Sequence, residues 1–188
     1  MNQRLFWIDL ETEGLDANLD NILEAGAVVT DFDLNIIDER EWVIKPAAGW
    51  TPETLRRNNP FVHSMHTVNG LLDEVMSRGQ HFTNVGLEIR TWAASHKLGV
   101  DKTDPICGSS VHFDRQFIKH YWPGFDSGFS HRIIDVSSEK EEIKRYRPKW
   151  AAELAEITAT EPKAHRALAD VHASLREFKF YRMKRGDL

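Results

Sequence analysis

Apolar residues fill both faces of the stretch Leu5–Leu10. Phe6, Ile8 and Leu10 point one way, and Leu5, Trp7, Asp9 and Glu11 the other, because strand side chains alternate. Such a strand is expected at the centre of a sheet, with helices covering each side. Ile22–Thr30 and Ile36–Lys45 are the next strands, and the short link 31–35 predicts an antiparallel hairpin. The rhythm then turns helical. Val85, Ile89, Trp92 and Ala93 fall on one face. Asp104–Gly108 reads as a short strand, followed by a helix that carries Phe117, Ile118 and Tyr121 and stops at Pro123. A strand over Arg132–Val136, a helix over Ser137–Arg145 and a last helix with Leu168, Val171, Leu175 and Phe178 complete the pattern. The order predicts an α/β fold, a mixed five-stranded sheet with helices on both faces.

No repeat or Pro/Gly/Ser-rich linker divides the 188 residues, so one domain over 1–188 is expected. With 41% hydrophobic and 28% charged residues the composition is globular rather than disordered. No apolar run reaches the ~18–20 residues of a membrane span, and Asp9 follows the N-terminus too soon for a secretory segment. Cys107 is the single cysteine, which excludes an internal disulfide and a cysteine-based zinc site, and a reduced, cytoplasmic setting is expected. The formal charge of −5 does not suit a protein that tracks a long phosphate backbone. Nucleic acid is then no ligand, or a short one, or bound cations change the local sign.

The informative residues are acids placed where apolar ones belong. Asp9 and Glu11 share one face of the most apolar strand. Asp114 lies at i, i+3, i+4, i+7 with Phe117, Ile118 and Tyr121, inside a core stripe. An unpaired buried charge costs several kcal/mol, so a cation or an arginine partner, with Arg115 and Arg132 as candidates, is required. His165 and Asp170 would stand ~140° apart on one helix. His165, after Glu161-Pro162-Lys163-Ala164, is therefore expected in a loop or first turn, with Asp170 beside the core stripe. Four carboxylates form a hard, oxygen-rich donor set that suits Mg²⁺ or Mn²⁺ better than zinc. Cys107 has no histidine partner for nucleophilic work, and neither a Gly-x-Ser-x-Gly elbow nor a phosphate-binding P-loop is present.

In order, the chain reads Asp9-Leu10-Glu11-Thr12-Glu13-Gly14-Leu15, then Cys107-Gly108-Ser109-Ser110 leading to Asp114-Arg115-Gln116-Phe117, then Asp135-Val136-Ser137, His165-x4-Asp170 and Tyr181-Arg182. This set resembles the DEDDh 3′–5′ exonucleases, and most of all their oligoribonuclease branch. The resemblance implies a ribonuclease H-like fold. It also implies that Asp9, Glu11, Asp114 and Asp170 hold two divalent ions, Mg²⁺ or Mn²⁺, in sites of the kind where the ions lie ~3.5–4 Å apart. His165 would accept the proton of the attacking water. Leu15 matches a leucine wedged between two bases, and Phe61 stands where the family usually stacks a Trp on a base. Ser110, Arg132, Ser137 and His66 match contacts to a 5′ phosphate, with the second subunit of a homodimer as one source of His66. Ser109, His131 and Ala169 stand where the family usually has Asn, Tyr and Asp. The implied activity is hydrolysis of short oligoribonucleotides, down to dinucleotides, into nucleoside 5′-monophosphates. The alternatives are an exonuclease that trims or proofreads longer RNA or single-stranded DNA, and a non-catalytic nucleic-acid-binding module.

Overall fold

The structure is a computed structural model that describes residues 4–159 and 164–187. Residues 1–3, which opened the N-terminal reading, and 160–163, just before His165, lie outside them. In chain order the elements are β1 (Arg4–Thr12), β2 (Ile22–Asp31), β3 (Ile36–Lys45), α1 (Pro52–Asn58), α2 (Pro60–Val68), α3 (Leu71–Arg78), β4 (Gln80–His81), α4 (Phe82–Ser95), β5 (Ile106–Gly108), α5 (Val111–Tyr121), α6 (Pro123–Asp126), β6 (Ile133–Asp135), α7 (Val136–Tyr146), α8 (Pro148–Thr158) and α9 (Ala167–Arg185).

The strand order is β4-β3-β2-β1-β5-β6. β1 pairs antiparallel with β2 and parallel with β5. The two apolar faces of β1 explain its central place. Phe6, Ile8 and Leu10 pack with Ile89 and Trp92 of α4 and Phe117 and Ile118 of α5. Leu5 and Trp7 pack on the other face with Val136 of α7 and Val171, Leu175 and Phe178 of α9. Each fully buried side chain of this size contributes on the order of 1.5–3 kcal/mol.

The expected five-stranded sheet has a sixth member. β4 is two residues long and adds to β3 in parallel, Ile44 opposite Gln80. Two residues carry no alternation, so the pattern could not reveal it. Five helices, α1 to α3, α6 and α8, also lie outside the elements the pattern predicts. Two of them carry a legible start: Thr51 accepts from Thr54 N before Pro52, and Asn59 accepts from Val62 N before Pro60. Among the described residues no helix is long and apolar enough to cross a membrane.

Candidate active site

Asp9 and Glu11 leave the α9 face of β1 near its C-terminal end. Asp114 arrives from the first turn of α5, buried, and neither Arg115 nor Arg132 neutralises it. Its Oδ1 accepts from the Leu10 backbone N–H at 2.9 Å, while Arg115 Nε donates to Asp126 Oδ1 at 2.7 Å. Asp170 comes from the first turn of α9. Carboxylate and imidazole atoms of Glu11, Asp170 and His165 lie within 4.8 Å of one another.

The cost of this crowding appears in the carboxyl groups. Burial first, then the charges of Asp114, Glu11 and Asp170, push Asp9 well above the usual range. Burial, then Asp170, Glu24 and Asp114, push Glu11 up to about 8. Burial raises Asp114 to about 7, against the stabilising bond from Leu10. A divalent cation relieves both causes, since it replaces lost hydration and cancels like charge. The donor set therefore fits a hard metal ion, and the cluster is a candidate metal site.

His165 lies in the loop before α9, as its spacing from Asp170 demands, with φ at 46°. The helix can approach this closely because β2 has a glycine at position 26. Gly26 pairs with Asp9, and a Cβ there would sit 2.2 Å from Leu168 N and 2.5 Å from the Ala167 carbonyl carbon. A glycine inside a strand marks such an approach of another backbone.

Ser110 Oγ donates to Ser137 Oγ at 3.0 Å. Asp135 Oδ1 accepts from both backbone amides, Ser110 N and Ser137 N, each at 2.9 Å. The two expected phosphate contacts therefore stand together where α5 and α7 begin. Arg132 is exposed, and its carbonyl accepts from Arg115 Nη1 at 3.3 Å. Ser109, in the place of the usual Asn, shares a 2.9 Å hydrogen bond with Ser174 of α9. Leu15 and Phe61 are exposed at 80% and 76%, which leaves both open to a ligand.

His66 does not fit its expected role. Its side chain is wholly buried in its own chain, with Nε2 3.6 Å from Glu11 Oε2. Burial, then the nearby His165, lowers its pKa to about 4. The imidazole is thus seated behind Glu11 in its own chain and not on the surface of α2. Cys107 is buried in the core, and its thiol is pushed far up by burial, which leaves it unreactive.

The sequence reading also missed Glu24 and Glu13. Glu24 is wholly buried on β2 beside Glu11, and an acid in the apolar run Ile22–Thr30 was the available signal. Glu13 accepts from Trp50 Nε1 and from the Asn21 side chain. Its carbonyl accepts from Asn59 Nδ2 at 2.9 Å. It thereby ties the loop of Leu15 to the helix of Phe61.

A family profile described as Exonuclease matches residues 6–178. The oligoribonuclease of Corynebacterium diphtheriae is 38% identical over 181 residues, covering 96% of this chain and 82% of that protein. The oligoribonuclease of Haemophilus ducreyi is 36% identical over 182 residues, covering 96% and 93%. Among solved structures, a zinc-bound complex of Escherichia coli exonuclease I with single-stranded DNA aligns with a TM-score of 0.73. Its sequence identity is 19%, over 99% of this chain, which spans only 42% of that longer protein. That likeness concerns the fold.

Proposed function

The chain belongs to the exonuclease family matched over residues 6–178, and from that premise we propose that it is a 3′–5′ exoribonuclease. Its substrates are short oligoribonucleotides, down to dinucleotides, and its products nucleoside 5′-monophosphates. The observation that carries the reading is the gathering of Glu11, Asp170 and His165 within 4.8 Å, beside two further raised carboxyl groups. The names of the relatives in Corynebacterium diphtheriae and Haemophilus ducreyi support the choice of short RNA.

In this reading Asp9, Glu11, Asp114 and Asp170 hold two Mg²⁺ or Mn²⁺ ions. When bound, such ions lower the pKa of the attacking water and stabilise charge on the leaving 3′ oxygen. The protein's own groups do the rest. His165 accepts the proton of that water from its loop position. Leu15 and Phe61 receive the two bases on exposed apolar surfaces. Ser110, Ser137 and Arg132 receive the 5′ phosphate through hydroxyl and charge-assisted bonds. A short ligand carries few phosphates, which suits a net charge of −5. The protein would work in the cytoplasm as a homodimer, and light scattering tests the dimer.

Digestion of labelled RNA and DNA ladders from two to about twenty nucleotides tests the activity. Mononucleotide release, fastest from RNA dinucleotides, is expected. Dinucleotides accumulating from longer strands, or faster cleavage of DNA, would replace this reading with a trimming or DNA exonuclease. No hydrolysis with either metal would leave a binding module.

A further inference from the structure

Helix α9 begins without a cap of its own, since Arg166 at the N-cap position makes no side-chain bond into the first turn. The Ala167 amide donates instead to Glu24 Oε2, at 2.7 Å. A carboxylate there satisfies an orphan donor and faces the positive end of the helix dipole. Glu24 is wholly buried, so its charge needs a partner. Arg166 supplies one: Nε donates to Oε1 at 2.9 Å and to Oε2 at 3.2 Å, and Nη2 to Oε1 at 2.6 Å. Nη1 donates to Glu74 Oε1 at 2.9 Å, and Nη2 also reaches Glu41 Oε1 at 3.4 Å. Strands β2 and β3 and helix α3 thus grip one arginine.

That arginine follows His165, whose φ of 46° lies in a region that residues other than glycine avoid. On its other side His165 is held by Asn69. Asn69 Nδ2 donates to the His165 carbonyl at 2.5 Å and to the Ala164 carbonyl at 3.2 Å. Asn69 is itself fixed, its Oδ1 accepting from Leu71 N at 3.1 Å. The Arg166 carbonyl accepts from the Asp170 amide at 3.0 Å, inside the first turn of α9. A buried ion pair contributes little net stability against an apolar substitute, and in some proteins it serves instead to select one conformation. Here the selected conformation is the strained backbone beneath the imidazole.

We infer that Arg166, locked to Glu24, is a positioning residue for His165, with Asn69 gripping the same loop from the other side. Together they hold the imidazole against Glu11 and Asp170. The inference rests on the reading of His165 as the base.

The test is steady-state hydrolysis of a 5′-phosphorylated RNA dinucleotide with saturating Mn²⁺. The variants are His165→Ala, Arg166→Gln, Arg166→Lys, Asn69→Ala and the doubles of Arg166→Gln and Asn69→Ala with His165→Ala. Mn²⁺ affinity is read by calorimetry and folding by circular dichroism. Arg166→Gln and Asn69→Ala should each lower kcat by ~10–100-fold, as misplacement of a reacting group does. KM and Mn²⁺ affinity should stay within about threefold, since neither residue is assigned to substrate or metal. Arg166→Lys should recover only part of kcat, because an ammonium cannot form the fork. In the His165→Ala background neither substitution should lower kcat further, the signature of action through that side chain. Should Arg166→Gln not fold, Arg166→Lys, which keeps the charge but not the fork, tests the same residue, and Asn69→Ala tests the loop from its other side.

Losses that multiply with His165→Ala, or that appear in Mn²⁺ affinity instead of kcat, would overturn the positioning role alone. Wild-type kcat in Arg166→Gln or Asn69→Ala, beside a slow His165→Ala, would do the same. Wild-type turnover by His165→Ala would instead overturn the general-base reading on which the inference stands.

Discussion

The Leu10 backbone N–H donates to Asp114 Oδ1 at 2.9 Å, so α5 is fastened to the central strand between the two acids that strand presents. Asp114 has a structural part beside its proposed one as a metal ligand. One of its oxygens sets the spacing between α5 and β1, which on the proposed reading leaves the other for a cation. Asp114→Asn keeps an oxygen acceptor but loses the charge. Hydrolysis should fall by at least ~100-fold, while the metal-free protein should melt no lower than wild type at pH 8, because a buried charge has been removed. Activity assays and thermal melts of the stripped protein decide it.

The raised carboxyl groups give the metal-free protein a particular pH response. Glu11 moves from 4.5 to about 8, and Asp114 from 3.8 to about 7, both chiefly by burial. A group whose folded pKa lies above its unfolded value favours the fold fully below the unfolded value. That contribution is lost as pH rises through the folded value. Melting temperature without metal should therefore fall between about pH 4 and pH 8. Added Mg²⁺ or Mn²⁺ should raise it by more at pH 8 than at pH 5, with proton release on binding. A metal effect independent of pH would mean that these carboxylates are not the ligands.

Replacing His165 by Ala should lower kcat by ~10²–10⁴, the usual worth of a general base. Calorimetric Mn²⁺ binding should survive, since His165 is assigned to the proton and not to the metal.

On the proposed reading, length preference rests with the exposed groups Leu15, Phe61 and Arg132. Arg132→Ala should reduce kcat/KM for a 5′-phosphorylated dinucleotide far more than for a ten-mer, whose terminal phosphate lies elsewhere. Phe61→Trp should preserve or raise dinucleotide turnover, because the larger ring offers more stacking area. Equal losses on both substrates from Arg132→Ala would place the 5′ phosphate away from Ser110 and Ser137.

Gly26→Ala would drive a methyl group into the backbone of Ala167 and Leu168, to 2.2 Å from Leu168 N. Overpacking of this kind costs about 1–3 kcal/mol, or displaces the neighbour. Either α9 moves and Asp170 leaves its place, or the fold weakens. Hydrolysis should drop sharply, accompanied by a lower melting temperature. A fully active, equally stable variant would show that α9 need not lie so close.

Periodicity alone determined much of this protein. Two apolar faces placed β1 at the centre of the sheet, and alternation put Asp9 and Glu11 on the side that α9 covers. Helical spacing put Asp114 in a core stripe, and the rotation between His165 and Asp170 kept the histidine outside the helix. These are local rules, and local rules can be read from neighbours in the chain. The partner of each buried charge was decided only in three dimensions. Nothing near Asp114 announces the Leu10 amide, 104 residues away. Arg115 looked like a counter-ion for Asp114 yet pairs with Asp126. His66 matched a phosphate contact by sequence, but the packing of α2 buries it behind Glu11. Glu24 and Arg166 are ordinary residues until the sheet and α9 bring them together across 142 positions. Hydrophobic spacing fixes which way a side chain faces, but a hydrogen bond or ion pair needs atoms about 3 Å apart, which only the assembled fold supplies.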